Sequence, residues 1–118
     1  MELQELIDNV RAWGEAKGIT GPNGKGTLLG QLAKTAEELT ETRDAAVLYS
    51  QAQFITVKNG KRYETRDELI DGLGDITVTV ILAAEMAGLK IEDCLAAAYK
   101  EIAGRTGRIE NGVFIKDA

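Results

Sequence analysis

Acidic side chains recur at helical spacing in two segments of this chain, 34–41 and 68–75. On a helix that turns about 100° per residue, three charged side chains of each segment share one face. Carboxylates gathered at one place repel one another unless a cation lies between them, and oxygen ligands suit Mg²⁺. The spacing therefore predicts that two acidic faces meet around a hard cation, although an acidic face opposite an apolar one is also typical of a solvated helix. The side chains are Lys34, Glu38 and Glu41 in the first segment, and Glu68, Asp71 and Asp75 in the second.

The composition leaves carboxylates and a metal as the main chemical resources. The chain contains no histidine, which excludes Ser-His-Asp and Cys-His nucleophiles, a histidine-bearing zinc site and an imidazole base. Its net charge of −5 argues against a nucleic-acid duplex as the main partner, because phosphate contacts need a basic surface. The single cysteine, Cys94, lies in an Ala-rich apolar segment and is interpreted as core filling.

Apolar periodicity predicts a single all-α domain over residues 1–118, in which four helices with short connections form an antiparallel bundle. Trp13 continues the apolar stripe of the first helix and is interpreted as a core anchor rather than a platform for a base. At this length the chain has one core and is expected to gain from self-association. The predicted helices cover residues 2–17, 28–50, 66–87 and 91–103.

The third helix carries the strongest argument for a metal. Residues 76–84 are apolar almost all round, so this stretch is predicted to be buried. Asp75 stands on its first turn, and a buried ionised carboxylate needs a partner or a metal. An Arg or Lys partner for Asp75 is the alternative to metal ligation.

Turn residues separate the helices. Residues 20–26 are rich in glycine, but no strand precedes them and their spacing departs from a phosphate-binding loop, so we interpret them as a linker, with Thr27 as the next N-cap. Asn59-Gly60 predicts a short hairpin at about 54–63, interpreted as a surface excursion with a lid over the acidic helices as the alternative. A short extended segment is predicted at 113–115.

The pattern Glu-Glu-x-x-Glu at Glu37, Glu38 and Glu41, followed by acids spaced Asp-x-x-x-Asp at Asp71 and Asp75, resembles the MazG-like nucleotide pyrophosphohydrolases. This all-α group includes the dimeric dUTPases. The likeness extends over most of the chain, and the ending looks like that of the short phage-type members. The further matching stretches are 11–19, 31–34, 74–75, 94–102, 105–108 and 111–116.

The resemblance implies an antiparallel four-helix bundle of the all-α NTP pyrophosphatase type, assembled as a homodimer or homotetramer. It also implies an enzyme that uses Mg²⁺, with Mn²⁺ as an alternative, to cleave a nucleoside triphosphate to the monophosphate and pyrophosphate. By the same resemblance the metal ligands are Glu38, Glu41, Asp71 and Asp75, the catalytic acids are Glu37, Glu38 and Glu41, and the phosphate-binding residues are Lys34, Lys100, Arg105 and Arg108. Without the resemblance, the last three would be interpreted as a solvated basic tail.

The chain departs from the family pattern at one position. The usual Glu-x-x-Asp requires an acid at Gly72, whereas this chain has Asp71, which still shares a helix face with Asp75. The alternative function is a catalytically weak helical-bundle protein that binds nucleotides or a protein partner. Because no run of eighteen apolar residues and no signal-like start occurs, we expect no membrane partner and a cytoplasmic location.

Overall fold

Helices make up most of the protein. A computed structural model describes the whole chain, Met1–Ala118. The four predicted helices are confirmed, and their ends lie within one residue of the predicted ones. Two short antiparallel hairpins accompany them, so the chain is mostly rather than purely helical. The elements are α1 (Leu3–Ala16), α2 (Leu28–Ser50), β1 (Ile55–Lys58), β2 (Lys61–Glu64), α3 (Thr65–Met86), α4 (Ile91–Ile102), β3 (Gly107–Glu110) and β4 (Val113–Lys116).

Both hairpins turn at an Asn-Gly pair. The φ angles are 53° and 74° at Asn59 and Gly60, and 49° and 77° at Asn111 and Gly112. Two successive residues in the left-handed region are what a type I′ turn requires, and Asn-Gly adopts that conformation readily. The first hairpin confirms the prediction for 54–63. The second differs from the predicted lone extended segment, because strand β3 precedes the turn and pairs with β4.

The start of α2 follows from its cap. The hydroxyl oxygen of Thr27 accepts a hydrogen bond from the Gly30 amide at 3.1 Å, which satisfies one of the unpaired amides of the first turn. The preceding linker folds back on the end of α1, where the amides of Lys25 and Gly26 donate to the carbonyls of Gly18 and Ile19. The N-cap prediction is therefore confirmed.

α3 lies at the centre of the fold, in contact with α1, α2, α4 and β2. Its packing on α2 is antiparallel, because early residues of α2 meet late residues of α3. Thr35 donates a hydrogen bond to the hydroxyl of Thr79 at 2.8 Å, and further along Thr42 meets Gly72. The antiparallel pair brings the acidic segment of each helix to the same level.

α1 and α4 pack against α3 in different ways. α1 crosses α3 at Gly14, whose missing side chain leaves room for Leu82. Arg11 of α1 also forms ion pairs with Glu85 and Glu92. The axis of α4 is bent by 104° from that of α3, so most of α4 lies in solvent.

The buried core is small and centred on the C-terminal half of α3. Only ten residues are buried, and the apolar ones are Ala45, Ile81, Leu82, Ala83 and Ala84. The prediction of a buried stretch at 76–84 is thus correct for its second half. No single helix is long and apolar enough to cross a membrane, and α3 and α4 pass that test only together, as the bent pair.

Two predicted core residues lie outside this core. Trp13 is 47% exposed, and the α1–α3 contact is made at its neighbour Gly14, which is buried against Leu82. Cys94 is exposed, because α4 turns away from α3. The interpretations of Trp13 as a core anchor and of Cys94 as core filling are therefore wrong for the isolated chain.

Gly72 marks the closest approach of α2 and α3. A Cβ atom at this position would overlap the hydroxyl oxygen of Thr42, and both residues are buried. By contrast, nothing lies within 4 Å of a Cβ built on Gly74, which is exposed. The two glycines differ in packing alone, since both lie inside the same helix.

We expect Gly72→Ala to lower the free energy of unfolding by about 1–3 kcal/mol, because the added methyl forces the helices apart. Gly74→Ala is the matched control and should raise it by about 0.5–1 kcal/mol through helix propensity alone. Urea unfolding of both variants measures the difference. Equal stabilisation by the two substitutions would contradict this close contact.

Candidate functional site

A cavity of about 430 Å³ lies between α2, α3 and the first hairpin. Its wall is strongly acidic, since six carboxylates face it against one lysine. α2 and α3 each supply three of these carboxylates. The lining residues are Glu38, Glu41, Thr42 and Asp44 of α2, Lys58 and Tyr63 of the hairpin, and Glu68, Asp71, Gly72 and Asp75 of α3.

The contact between Thr42 and Gly72 explains why these acids meet. It holds α2 and α3 together at the level of the cavity. Glu41 of α2 and Asp71 of α3 each directly precede a residue of this contact in the sequence, and both line the cavity. The hydroxyl of Thr42 donates to the Glu38 carbonyl at 2.7 Å and so stays folded against its own helix. All four predicted metal ligands thus line one cavity, as the sequence spacing indicated.

The hairpin is fastened to the cavity wall by Glu68. Its carboxylate accepts hydrogen bonds from Lys58 Nζ at 2.6 Å and from Thr56 Oγ1 at 2.8 Å. The hydrogen bond with Lys58 lowers the pKa of Glu68, and the same bond raises the pKa of Lys58. Because Lys58 and Tyr63 line the cavity, the hairpin is part of the site, which agrees better with the alternative interpretation of 54–63 than with a plain surface excursion.

Lys34 lies at the other end of the acidic group. Its ammonium is 3.3 Å from a carboxylate oxygen of Glu37 and 3.4 Å from one of Glu38. The hydrogen bonds with Glu37 and then Glu38 raise the pKa of Lys34, so the side chain is cationic at neutral pH. Glu37 is exposed and does not line the acidic cavity.

Four of the six cavity carboxylates have no cationic partner. None of the ion pairs in the protein includes Glu41, Asp44, Asp71 or Asp75. Asp75 is exposed at the wall of the cavity, so the prediction that burial forces it to take a partner is wrong. These carboxylates are free to bind a cation that enters from solvent.

The donor set suits Mg²⁺ in the form in which proteins usually hold it. No three acidic side chains converge closely enough to hold a metal ion by themselves. Mg²⁺ is commonly bound through one or two carboxylates, and it keeps several waters and shares substrate phosphates. Paired acids on facing helices beside an open cavity therefore fit Mg²⁺ that arrives with a phosphate ligand better than a closed, all-protein cage.

A second cavity of about 280 Å³ adjoins the acidic one. The two share Glu38 and Asp75 as common wall residues. The second cavity is less acidic and partly apolar. Its other lining residues are Trp13, Ile19, Gln31, Lys34, Val78, Thr79 and Leu82.

The remaining predicted phosphate ligands lie elsewhere. Lys100 is in the last turn of α4, Arg105 pairs with Glu101 at 3.6 Å, and Arg108 pairs with Glu110 at 2.7 Å. None of these three basic residues lines either cavity. Within one chain, only Lys34 of the predicted set reaches the region of the acids.

The sequence interpretation missed Asp44, Lys58 and Tyr63 as members of the site. Asp44 follows Glu41 by three positions, so helical spacing was a usable signal for it. Lys58 and Tyr63 gave no such signal, because their position depends on where the hairpin folds against α3. No family model, curated protein or solved structure matches this chain.

The ion pair between Lys58 and Glu68 gives a prediction for acid stability. A carboxylate whose pKa is lowered on folding stabilises the folded state above its unfolded pKa of about 4.3, and this contribution disappears as the pH falls through the folded-state pKa. We expect wild type to exceed Glu68→Gln in Tm near neutral pH, and the difference to shrink below about pH 4. Thermal unfolding of both proteins across this range measures it. A Tm difference that stays constant with pH would contradict a role for this ion pair.

Proposed function

We propose that this chain is a Mg²⁺-dependent nucleoside triphosphate pyrophosphohydrolase of the MazG-like type. The proposed reaction converts a ribo- or deoxyribonucleoside triphosphate to the monophosphate and pyrophosphate. The observation that carries the proposal is the cavity lined by six carboxylates and one lysine. The carboxylates of such a group repel one another unless a cation binds between them. A hard cation that carries phosphates offsets the negative charge of the carboxylates and of the phosphates.

The proposed metal ligands are Glu38, Glu41, Asp71 and Asp75, and Mn²⁺ is an alternative to Mg²⁺. Bound Mg²⁺ would supply neutralisation of phosphate oxygens and acidification of a bound water. Asp71 takes the place of the acid that the family pattern puts at Gly72, because Thr42 leaves no room for a side chain there. The open cavity leaves space for the phosphates beside these carboxylates.

The other proposed roles belong to residues in this wall or beside it. Lys34, which already pairs with Glu37 and Glu38, would exchange a carboxylate for a phosphate oxygen. A glutamate of α2 would accept the proton of the attacking water, with Glu38 and Glu41 in the cavity and Glu37 acting through a further water. Contacts of phosphate with Lys100, Arg105 or Arg108 would have to come from a second chain.

The adjoining cavity is the proposed place of the base. Trp13 is half-exposed there and offers an aromatic face, and stacking on such faces accepts every base. Gln31 donates through Nε2 to the Thr79 carbonyl at 3.4 Å, which leaves its own amide oxygen as an acceptor. Because Glu38 and Asp75 line both cavities, a nucleotide can place its base in one and its phosphates in the other.

The antiparallel four-helix bundle is part of this proposal. Its support is the antiparallel packing of α2 on α3, together with the packing of α1 on α3 at Gly14. The 104° bend at α4 means that α4 does not run alongside α3 within one chain.

A protein that binds nucleotides with little or no catalysis is the second candidate. It is favoured by one observation, that no three acids converge on a metal position in the isolated chain. The two candidates differ in whether pyrophosphate is released.

We expect pyrophosphate release from at least one member of a panel of standard NTPs and dNTPs with Mg²⁺. Glu38→Gln and Asp75→Asn should each lower the rate by at least about 100-fold. Loss of a residue that only supports a metal ligand already lowers activity by up to about 100-fold, and these two residues are proposed as ligands themselves. Glu15→Gln removes an exposed acid of α1 outside the cavity and should leave the rate unchanged.

If the folded protein released no pyrophosphate from any nucleotide, that result would contradict the proposed enzymatic activity. Nucleotide binding under those conditions that is lost in Asp75→Asn would establish the second candidate instead. Activity that survives both cavity substitutions would contradict the proposed site.

A further inference from the structure

Lys58 is the only cationic residue in the wall of the acidic cavity. It lies on β1, and its ammonium donates a hydrogen bond to the carboxylate of Glu68 at 2.6 Å. This hydrogen bond raises the pKa of Lys58, so the side chain is charged at neutral pH. An ammonium has three N–H donors, and the bond to Glu68 uses one of them. Because the side chain is 59% exposed, the other donors are free for a ligand in the cavity.

The hairpin that carries Lys58 is attached at its base to both α2 and α3. Thr65, the first residue of α3, is fully buried, and its hydroxyl donates to the Gln53 carbonyl at 3.0 Å. The Thr65 amide donates to the Phe54 carbonyl at 2.9 Å. The Phe54 ring packs edge-on against Tyr49 of α2, with ring centroids 5.5 Å apart. Lys58 is therefore positioned by the same framework that positions the acids of the two helices.

One face of the hairpin is turned towards the cavity. Thr56 and Lys58 both bind Glu68, as alternate residues of a strand can. Tyr63 and Lys61 are their partners across the hairpin, so they share this face. The ammonium groups of Lys58 and Lys61 lie 5.7 Å and 5.6 Å from the centroid of the Tyr63 ring. Of the two lysines, only Lys58 also lines the cavity.

The acids of α3 form a row that ends at Lys58. Glu68, Asp71 and Asp75 line the acidic cavity, and Asp75 together with Thr79 lines the adjoining cavity. At a rise of about 1.5 Å per residue, Glu68 lies about 10 Å along the helix axis from Asp75. Lys58 is therefore at the end of the acidic cavity that is remote from the adjoining cavity.

No other basic residue lies at this end of the acidic cavity. Lys34 is at the opposite end, in ion pairs with two glutamates of α2. Arg105 and Arg108 pair with acids of their own segment, outside both cavities. Phosphate oxygens beside unpaired carboxylates are repelled unless a cation contacts them. A nucleotide whose base occupies the adjoining cavity would therefore extend its outermost phosphates towards Lys58.

We propose that Lys58 binds the terminal phosphates of the nucleotide, and therefore also the pyrophosphate that the reaction releases. The inference rests on the proposed function, because it assigns the far end of the same substrate. Glu68 keeps one donor of the ammonium in place, and phosphate oxygens accept from the others. A nucleoside monophosphate has no group that extends to Lys58, so this contact favours the triphosphate over the monophosphate.

Calorimetric titration with inorganic pyrophosphate at a fixed Mg²⁺ concentration tests the proposal without any turnover. Wild type should bind pyrophosphate. Lys58→Gln should weaken this binding by about 10- to 100-fold, because it removes a hydrogen bond between charged groups.

Two control variants separate a direct contact from other effects of the substitution. Lys61→Gln removes the same charge from the same face of the hairpin but outside the cavity, and should leave the affinity for pyrophosphate unchanged. Thr56→Val removes the other hydrogen bond between the hairpin and Glu68 but keeps both lysines, and should also leave it unchanged.

Three results would overturn the proposal. Wild type that does not bind pyrophosphate, or Lys58→Gln that binds it as tightly as wild type, would show that Lys58 makes no such contact. Equal losses of affinity in Lys58→Gln and Lys61→Gln would show an effect of overall charge. A loss in Thr56→Val as large as that in Lys58→Gln would show an effect of hairpin attachment.

These outcomes are distinguishable from failure of the proposed enzymatic activity. If wild type hydrolyses a nucleotide and Lys58→Gln keeps its affinity for pyrophosphate, the enzyme stands and the role of Lys58 is refuted. If no nucleotide is hydrolysed, but pyrophosphate binds and Lys58→Gln alone weakens it, the binding site stands and only the activity is refuted.

Discussion

The close approach of α2 and α3 at Thr42 and Gly72 is the constraint on which the rest of the structure depends. It requires a glycine on α3 and a hydroxyl that folds back to the Glu38 carbonyl on α2. The same contact places three carboxylates of each helix around one cavity. It also excludes an acid at position 72, so the α3 side of the site is built from residues that flank the contact.

Charge and packing oppose each other around this contact. Six carboxylates in one cavity weaken the folded state through mutual repulsion, and only Glu38 and Glu68 have cationic partners, Lys34 and Lys58. The buried apolar core that offsets this repulsion is small in a single chain. A divalent cation that enters the cavity would relieve the repulsion between these carboxylates.

Much of the fold follows from local sequence, whereas the pairing of surfaces does not. Helix ends, the Thr27 cap and the first hairpin depend on neighbouring residues, and the predictions for them are confirmed. Leu29, Leu32 and Leu39 share an apolar stripe on α2, but α3 instead packs on the smaller residues Thr35 and Thr42, because a close crossing admits only small side chains. These three leucines are consequently exposed. Spacing along a helix is likewise local, so it predicted the α2 and α3 carboxylates of the site. The position of the hairpin residue Lys58 depends instead on how the hairpin packs against α3.

Paramagnetic broadening by Mn²⁺ in amide NMR spectra tests directly whether the α2 and α3 carboxylates form one divalent-cation site. At substoichiometric Mn²⁺, we expect signals near Glu41, Asp44, Asp71 and Asp75 to broaden first and together, and excess Mg²⁺ to restore them. Signals near Glu15, an exposed acid of α1, should stay sharp. Broadening spread evenly over all exposed acids, or centred away from this cavity, would contradict a divalent-cation site at this place.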